Sequence, residues 1–467
     1  MLRTHTCGEL RSNHAGQEVK LAGWVSTHRI QGRVSFILLR DRYGITQIFV
    51  DPKITKEIGE LRRETVIQIT GEVNKRPENQ VRKEMLTGEV ELSAKEIKVI
   101  SNAEPLPLEL DESIESSEEI RLKYRYLDLR RPLMVNNIQK RHQATQFLRD
   151  HLNEKDFLEI NTPILTKSTP EGARDYLVPS RIHKGKFYAL PQAPQQYKQL
   201  LMVSGMDKYF QIAPCFRDEN ARANRSPGEF YQLDLEMSFA EQEDILQIIE
   251  EAMIAMVKEV FPEKKFTKLP FPRFNYDDVM EKYGTDSPDI RENKEDNDEL
   301  GFCWVINFPL FKKQSEEDFF HGAGKEWGPS HNMFTAPKES DLKLLDSDPG
   351  KVKSYQHDFV LNGNEVGGGA IRIHDAKLQE KIFELIGFDE EKKKEFSHLL
   401  EAFTYGVPPH GGIALGMDRL LMVIMGKESI RELIAFPKDK SARDPVMDAP
   451  STVSKEQLDE LGISIKK

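Results

Sequence analysis

Apolar and polar positions alternate in five runs within the first hundred residues: VKLAGWV (19–25), VSFILL (34–39), ITQIFV (45–50), TVIQITGEV (65–73) and the stretch from Val90 to Ile100. A period of two between Gly, Pro and charged breaks predicts strands. PKITKEIGELRR, between the third and fourth runs, predicts a short helix. Five strands with a helix in that position is the order of an OB-fold barrel, with another small β-barrel as the alternative. Residues 104–120, EPLPLELDESIESSEEI, hold prolines and many acids but no base, which predicts a solvated linker. From Arg121 the pattern is mixed. Ile138 to Leu152 has helical spacing, and Ile245, Ile248, Ile249, Ala252, Met253, Met256, Val257 and Val260 form a stripe that reads as core packing. Strands are predicted at 157–160, 209–213, 231–239, 304–308, 357–363 and 370–373. Without regular crossover helices between them, they predict an α+β fold in which an antiparallel sheet is flanked by helices.

Composition narrows the class. The 467 residues exclude a single small module, and 31% charged with 38% apolar residues suit a folded protein. No stretch approaches 18 uncharged apolar residues, and the opening MLRTHTCGEL has no apolar h-region, so a cytoplasmic protein without membrane contact is expected. Cys7, Cys215 and Cys303 are odd in number and lack metal-ligand spacing, which excludes a disulfide framework or a zinc site. The net charge of −11 is uneven: residues 1–100 carry 17 Lys/Arg against 13 Asp/Glu, so a mildly basic unit sits on an acidic body. That is the sense of a local nucleic-acid footprint.

Neither GxxxxGK[ST] nor a strand-linked GxGxxG is present, so any nucleotide is held another way. Four stretches concentrate ionisable residues: KSTPEGARDY (167–176), LPQAPQQYKQ (190–199), CFRDE with RSPGEFYQLDLE (215–236), and EVGGGAIRIH with GIALGMDRLLM (365–374 and 413–423). Arg217 follows a predicted strand, and Arg419 lies in an apolar helical stretch after a Gly-rich turn. A buried arginine meets either an anionic ligand or a structural carboxylate. Asp358 and Glu365, seven apart across a turn, offer hard oxygen ligands suited to Mg²⁺.

These residues resemble the bacterial type of aspartyl-tRNA synthetase, a class II aminoacyl-tRNA synthetase of subgroup b, over the whole chain. FLEINTPILT with Pro163 resembles motif 1, FRDE followed by GEF (228–230) motif 2, and GMDR (416–419) motif 3. QAPQQYK (192–198) is similar to the subgroup's Q-S-P-Q-x-x-K with Ala193 for serine, and RLKYRYLDLRRP (121–132) to the segment joining the domains. The resemblance implies an anticodon-binding barrel over 1–103, a linker over 104–135, a catalytic domain over 136–440 and a C-terminal extension over 441–467. It also implies a homodimer with Pro163 near the interface.

The implied activity is ATP-dependent ligation of L-aspartate to tRNA-Asp through aspartyl-adenylate, the alternative being a form that also charges tRNA-Asn. A non-catalytic RNA-binding module or a tRNA-independent ligase are the competing classes. By resemblance, Arg217 holds the α-phosphate of ATP and Arg419 the γ-phosphate. Phe230 and Arg419 sandwich adenine, Glu219 accepts from its amino group, and Asp218, Gly416, Met417 and Asp418 complete the ATP motifs. Asp358 and Glu365 bind Mg²⁺. Lys198 and Arg372 take the substrate's side-chain carboxylate, with His331 nearby or supporting them. Glu171, Gln195 and Asp234 take its α-ammonium. An asparagine would leave a buried cation unpaired. On the barrel, Arg29, Phe36, Gln47 and Glu91 form the anticodon face, although Phe36 taken alone reads more readily as barrel core. Three features depart from the family pattern. Only IRENKEDNDELG (290–301) stands where bacterial members insert a domain, the motif 2 loop is one residue longer with Ser226 in place of a glutamine, and Gln31 matches neither usual residue.

Overall fold

Each alternating run near the start of the chain forms a strand: β1 (Glu18–Gln31), β2 (Val34–Asp41), β3 (Gly44–Val50), β4 (Val66–Lys75) and β5 (Val90–Ser101). They close a barrel in the order β1-β2-β3-β5-β4. Val19, Leu21, Ile37, Ile48, Ile69 and Leu92 fill its interior, so the period of two is the wall's inside-outside alternation. Helix α1 (Pro52–Ile58) lies between β3 and β4, as predicted. Asp51 caps it by accepting from the Lys53 and Ile54 amides, and Pro52 supplies a helical φ at its first position. The computed structural model describes residues 1–168, 173–219, 228–314 and 326–466. They fall into two units, Met1–Val135 and Asn136–Lys467.

The acidic stretch is largely exposed, as a solvated linker would be, but it is anchored at two leucines. Leu108, Leu110 and Leu127 bury one another, with Leu106 and Tyr124 packed against them. Helices α2 (Glu118–Lys123) and α3 (Arg125–Asp128) follow. The acids obscured three leucines two to nineteen residues apart, too few for a periodic signal. At the centre, Asp128, fully buried, accepts from Arg125 at 2.7 Å and Arg121 at 2.8 Å, with Arg131 at 3.7 Å.

In the second unit, eight strands form one sheet. They are β6 (Leu158–Glu159), β9 (Lys208–Phe216), β10 (Glu229–Ser238), β11 (Arg273–Asn275), β12 (Phe302–Ile306), β13 (Gln356–Leu361), β14 (Asn364–Ile371) and β15 (His410–Gly416). A separate hairpin pairs β7 (Leu177–Pro179) with β8 (Phe187–Ala189). Their order in the sheet is β11-β12-β13-β14-β15-β10-β9-β6, antiparallel except for the parallel pairs at each end. This is the expected α+β class. The core lies where α4 (Pro132–Glu154), α6 (Gln242–Val260) and α8 (Met417–Ile424) cover one sheet face. Ile245, Ile249, Met253, Met256 and Val260 of α6 are buried, which makes the methionine stripe packing. Helices α5 (Gln195–Val203) and α7 (Ser397–Phe403) complete the elements used below.

Two boundaries differ from expectation. The strand predicted at 370–373 ends at Ile371, so Arg372 lies just beyond it. The Gly-rich segment before Arg419 is a strand, β15, not a turn. Its glycines answer crowding: a Cβ on Gly412 would sit 2.0 Å from the Leu235 carbonyl and 2.2 Å from Glu236 Oε2.

Removing the carboxylate that gathers three arginines strands buried positive charge. Asp128→Ala is expected to destabilise the chain by about 3 kcal/mol, seen as a lower urea midpoint.

Candidate functional site

The period of two along β10 splits its side chains between two environments. Leu233, Leu235 and Met237 enter the helical core. Gln232 and Asp234 face the other way, into a cleft of about 720 Å³, a size that suits a small-molecule substrate. Arg217, Glu219, Phe230, Gln195, Lys198, His331, Glu365, Arg372, Gly416, Asp418 and Arg419 line the same cleft. Residues spread over two hundred positions are thus brought to one place by β9, β10, β14, β15 and α5.

One end holds a buried charge cluster. Lys198, on α5, lies 2.7 Å from Asp234 Oδ1 and 3.2 Å from Glu236 Oε2. Arg372 donates through Nε to Glu236 Oε1 at 2.9 Å and through Nη2 to Oε2 at 3.3 Å. All four side chains are at most 4% exposed. Burial pushes both carboxyls up. For Glu236, Arg372 and Lys198 overcome it and hold the group at about 2; for Asp234, burial prevails over Lys198. Each of the two cations therefore already has a carboxylate partner within the protein. Glu236 escaped the sequence reading, although the acid pair two apart in YQLDLEMSF put both on one strand face. Among the described residues, Gln195 Nε2 and Asp234 Oδ2 are buried without a hydrogen-bond partner. A donor and an acceptor facing the cleft match the carboxylate and ammonium of an amino acid.

The other end carries the guanidinium groups. Arg217 lies over the Phe230 ring at 5.1 Å, and Arg419 donates to the Glu365 carbonyl at 2.9 Å. Among the described residues neither enters a salt bridge, which leaves both charges for an anion. Asp358 accepts from Gln356 at 2.8 Å and pairs with His331 at 3.3 Å. Gly368 separates Asp358 from Glu365: a Cβ there would be 3.2 Å from one carboxylate and 3.6 Å from the other. Burial and the Asp358 charge raise Glu365 to about 7, against the weaker pull of Arg419 and His331. Two crowded carboxylates suit a hard divalent cation. No group of three or more metal-ligating side chains occurs among the described residues, so phosphate and water would complete the coordination of Mg²⁺.

Several expected positions are corrected. Met417 is 1% exposed within the helical core and does not line the cleft. Asp418 lines it but pairs with Arg141 and accepts from the Tyr231 amide, so much of its role is to tie α8 to α4 and β10. Asp218 is exposed outside the cleft lining, its backbone joined to Arg174. His331 contacts Asp358, not Lys198 or Arg372, and sits edge-on to Phe308 at 4.7 Å. Glu171 and Ser226 lie outside the described residues. Pro163 is exposed, next to exposed Ile164 and close in sequence to Leu158 of the sheet's edge strand β6.

On the barrel, Phe36 is not core. Val34, Phe36 and Leu38 point outward while Ser35, Ile37 and Leu39 point in, and the Phe36 ring meets Phe49 edge-on at 5.7 Å. Arg29 is paired opposite Phe36. Gln47 donates to Glu91 at 3.0 Å. Arg76, not singled out from sequence, lies 3.9 Å from Glu91.

The elevated Glu365 carries a stability signature. Its folded value near 7 exceeds its ordinary 4.5, so the unfolded chain ionises first and stability falls as pH rises between those values, then levels off. Glu365→Gln is expected to remove that fall, leaving the variant more stable than the parent at pH 8 and the difference shrinking toward pH 5, measured by urea denaturation.

The family model for class II tRNA synthetases (D, K and N) matches residues 117–440, and that for the OB-fold nucleic acid binding domain matches residues 19–100. Aspartate–tRNA(Asp/Asn) ligase of Dehalococcoides mccartyi strain CBDB1 is 40% identical, over 100% of this chain and 99% of its own. Aspartate–tRNA ligase of Clostridium tetani is also 40% identical, with 100% and 98% covered. The first alignment runs over 604 positions, so more than a hundred of them face no residue here. Asparaginyl-tRNA synthetase from Pyrococcus horikoshii, solved with asparaginyl-adenylate, superposes with a TM-score of 0.76 at 23% identity, covering 94% of this chain and 99% of that one. Fold, motif-bearing cleft and full-length sequence similarity agree: this chain belongs to the class II aminoacyl-tRNA synthetases, in the aspartate–tRNA ligase family.

Proposed function

We propose that the chain joins L-aspartate to ATP as aspartyl-adenylate, releasing pyrophosphate, and then transfers the aspartyl group to the terminal ribose of tRNA-Asp. The observation that carries this reading is the buried Lys198–Arg372 pair beside the open Arg217 and Arg419. The first two suit a side-chain carboxylate and the second two suit phosphates.

In the first step the α-carboxylate of aspartate attacks the α-phosphorus and the bond to pyrophosphate breaks. Such an in-line transfer needs positioning and charge neutralisation, not a protein nucleophile. Arg217 neutralises charge developing on the α-phosphate, and its stacking on Phe230 fixes the plane against which adenine lies. Arg419 holds the γ-phosphate, and Glu219 accepts from the adenine amino group. Asp234 accepts from the α-ammonium through its unpartnered Oδ2, with Glu171 assigned to the same ammonium, while the unpartnered Nε2 of Gln195 donates to a carboxylate of the amino acid. Asp358 and Glu365 hold Mg²⁺, which when bound screens the polyphosphate charge. His331 keeps Asp358 in place.

Arg29, Phe36, Gln47 and Glu91 read the anticodon, an outward aromatic stacking an unpaired base while polar neighbours meet base edges. Two copies associate through the exposed sheet edge around Leu158, Pro163 and Ile164. No helix among the described residues is long and apolar enough to cross a membrane, and the substrates are those of the cytoplasm. A second reading, charging of tRNA-Asn as well, is supported by relatives named for both tRNAs.

Pyrophosphate exchange into ATP is expected with aspartate and not with asparagine or lysine; exchange with asparagine, or none with any amino acid, would sink the reading. Charging of tRNA-Asp and tRNA-Asn transcripts then separates the two readings, equal rates favouring the second. Lys198→Leu and Arg372→Leu are each expected to lower aspartate-dependent exchange by at least a hundredfold while ATP binding, followed by calorimetry, is kept. Phe36→Ala is expected to slow tRNA charging about tenfold or more and to leave exchange unchanged, a stacked base being worth roughly 1–3 kcal/mol.

A further inference from the structure

A second cavity, of about 610 Å³, lies behind the amino-acid end of the cleft. The two share Ala193, and α5 runs between them. Gln195 and Lys198, three apart on α5, face the cleft, whereas Gln196, Tyr197 and Leu200 face the second cavity. Residues three or four apart lie on one side of a helix, so α5 presents one side to each space.

The second cavity is mostly apolar, with Leu200, Phe187 and Tyr188 among its walls, yet it is not inert. Gln196 is 7% exposed, and its Nε2 has no hydrogen-bond partner among the described residues. A buried amide donor left unmatched in an apolar chamber calls for an acceptor from a ligand. Lys167, Lys186, His183 and His398 also border the space. Lys167 donates to the Glu395 carbonyl and lies 3.5 Å from His398 Nδ1. Burial lowers both groups, and the lysine lowers the histidine further, a cost that a nearby anion relieves. The walls thus select an apolar body, and the polar groups an anionic acceptor.

We propose that this cavity is a ligand site for a small carboxylate with an aromatic or branched apolar body, and that occupation acts on aspartate binding through α5. The site stands on its own geometry; the effect on aspartate rests on the function proposed above. Coupling through a helix exposed to both spaces is reciprocal: if the ligand changes aspartate affinity, aspartate changes the ligand's affinity by the same factor.

The test uses 2-naphthoate and the full-length protein, with naphthalene-2-methanol as the uncharged analogue. Calorimetry is expected to give saturable binding of one naphthoate per chain, at least tenfold tighter than the alcohol and independent of protein concentration. Leu200→Trp fills the space and is expected to abolish binding, while Gln196→Leu weakens it about fivefold or more. In pyrophosphate exchange, saturating naphthoate is expected to change the aspartate KM at least threefold toward a plateau, leaving the ATP KM unaltered. Absence of saturable binding overturns the proposal, as does binding retained by both variants. So does complete displacement by aspartate, which would put the ligand in the cleft, or affinity that falls with rising protein concentration, which would mean a second copy covers the cavity. Saturable, variant-sensitive binding with an unaltered aspartate KM overturns the coupling alone. Failure of aspartate to support exchange overturns the function and leaves the binding result standing.

Discussion

Two cations and two carboxylates buried side by side, Lys198 and Arg372 with Asp234 and Glu236, set the terms for the rest of the catalytic unit. None of these charges tolerates such burial alone, because desolvation costs several kcal/mol per ion and is offset only by close, well-oriented partners. Geometry follows from that requirement. The acids must project from one face of β10, so apolar residues occupy the intervening positions and form the roof of the helical core. The neighbouring strand must leave room for Glu236, so glycine stands at 412, whose carbonyl also accepts from Arg372 at 3.4 Å. Gln199, one residue past Lys198 on α5, reaches His410 at the start of β15 at 3.1 Å and ties the helix to the same sheet.

At the opposite end of the cleft the electrostatics invert. Asp358 and Glu365 face each other across Gly368 with no lysine or arginine side chain bonded to either carboxylate among the described residues, and Glu365 is driven to about 7. The charged quartet is charge-compensated before any substrate arrives, with Asp234 Oδ2 left over as an acceptor, whereas the carboxylate pair is destabilised until positive charge is supplied. On the proposed function, a single sheet thus carries a preorganised receptor for an anion and another for a cation. Catalysis then gains because neither must reorganise when the reacting groups meet between them.

Much of this was legible from the sequence because strand alternation is a short-range signal. The five barrel strands and the helix before the fourth follow from periods of two and from a cap, Asp51-Pro52, that lies within the segment itself. Phe36 required only parity: its neighbours Ser35 and Ile37 point inward. What escaped depends on contacts distant in the chain. Glycines 411 and 412 imitate a turn signal until residues distant in the chain, Ile245 and Ile371 against Gly411 and Glu236 against Gly412, show why they are needed in a strand. Met417 sits in a motif, but its neighbour across the core, not its motif, decides its burial. The leucines at 108, 110 and 127 carry too little periodicity to outweigh the acids around them.

With Lys198 and Arg372 assigned to the substrate's side-chain carboxylate, as proposed, the neutralised quartet also changes how aspartate is told from asparagine. If Lys198 and Arg372 were bare, asparagine would be rejected for leaving charge uncompensated. Because Asp234 and Glu236 already compensate them, net charge alone cannot supply the discrimination. Hydrogen-bond polarity does. An ammonium and a guanidinium have donors only, and among the described residues the Nη1 of Arg372 enters no hydrogen bond while Lys198 has two carboxylates for three N–H groups. A substrate carboxylate offers acceptors to every remaining donor. A carboxamide turns one of its two positions into a donor facing donors, and a buried mismatch of that kind is the sort a polar pocket rejects most strongly. On this view Glu236 contributes to selectivity without touching the substrate, by fixing the orientation of the two cations so that only donors remain exposed.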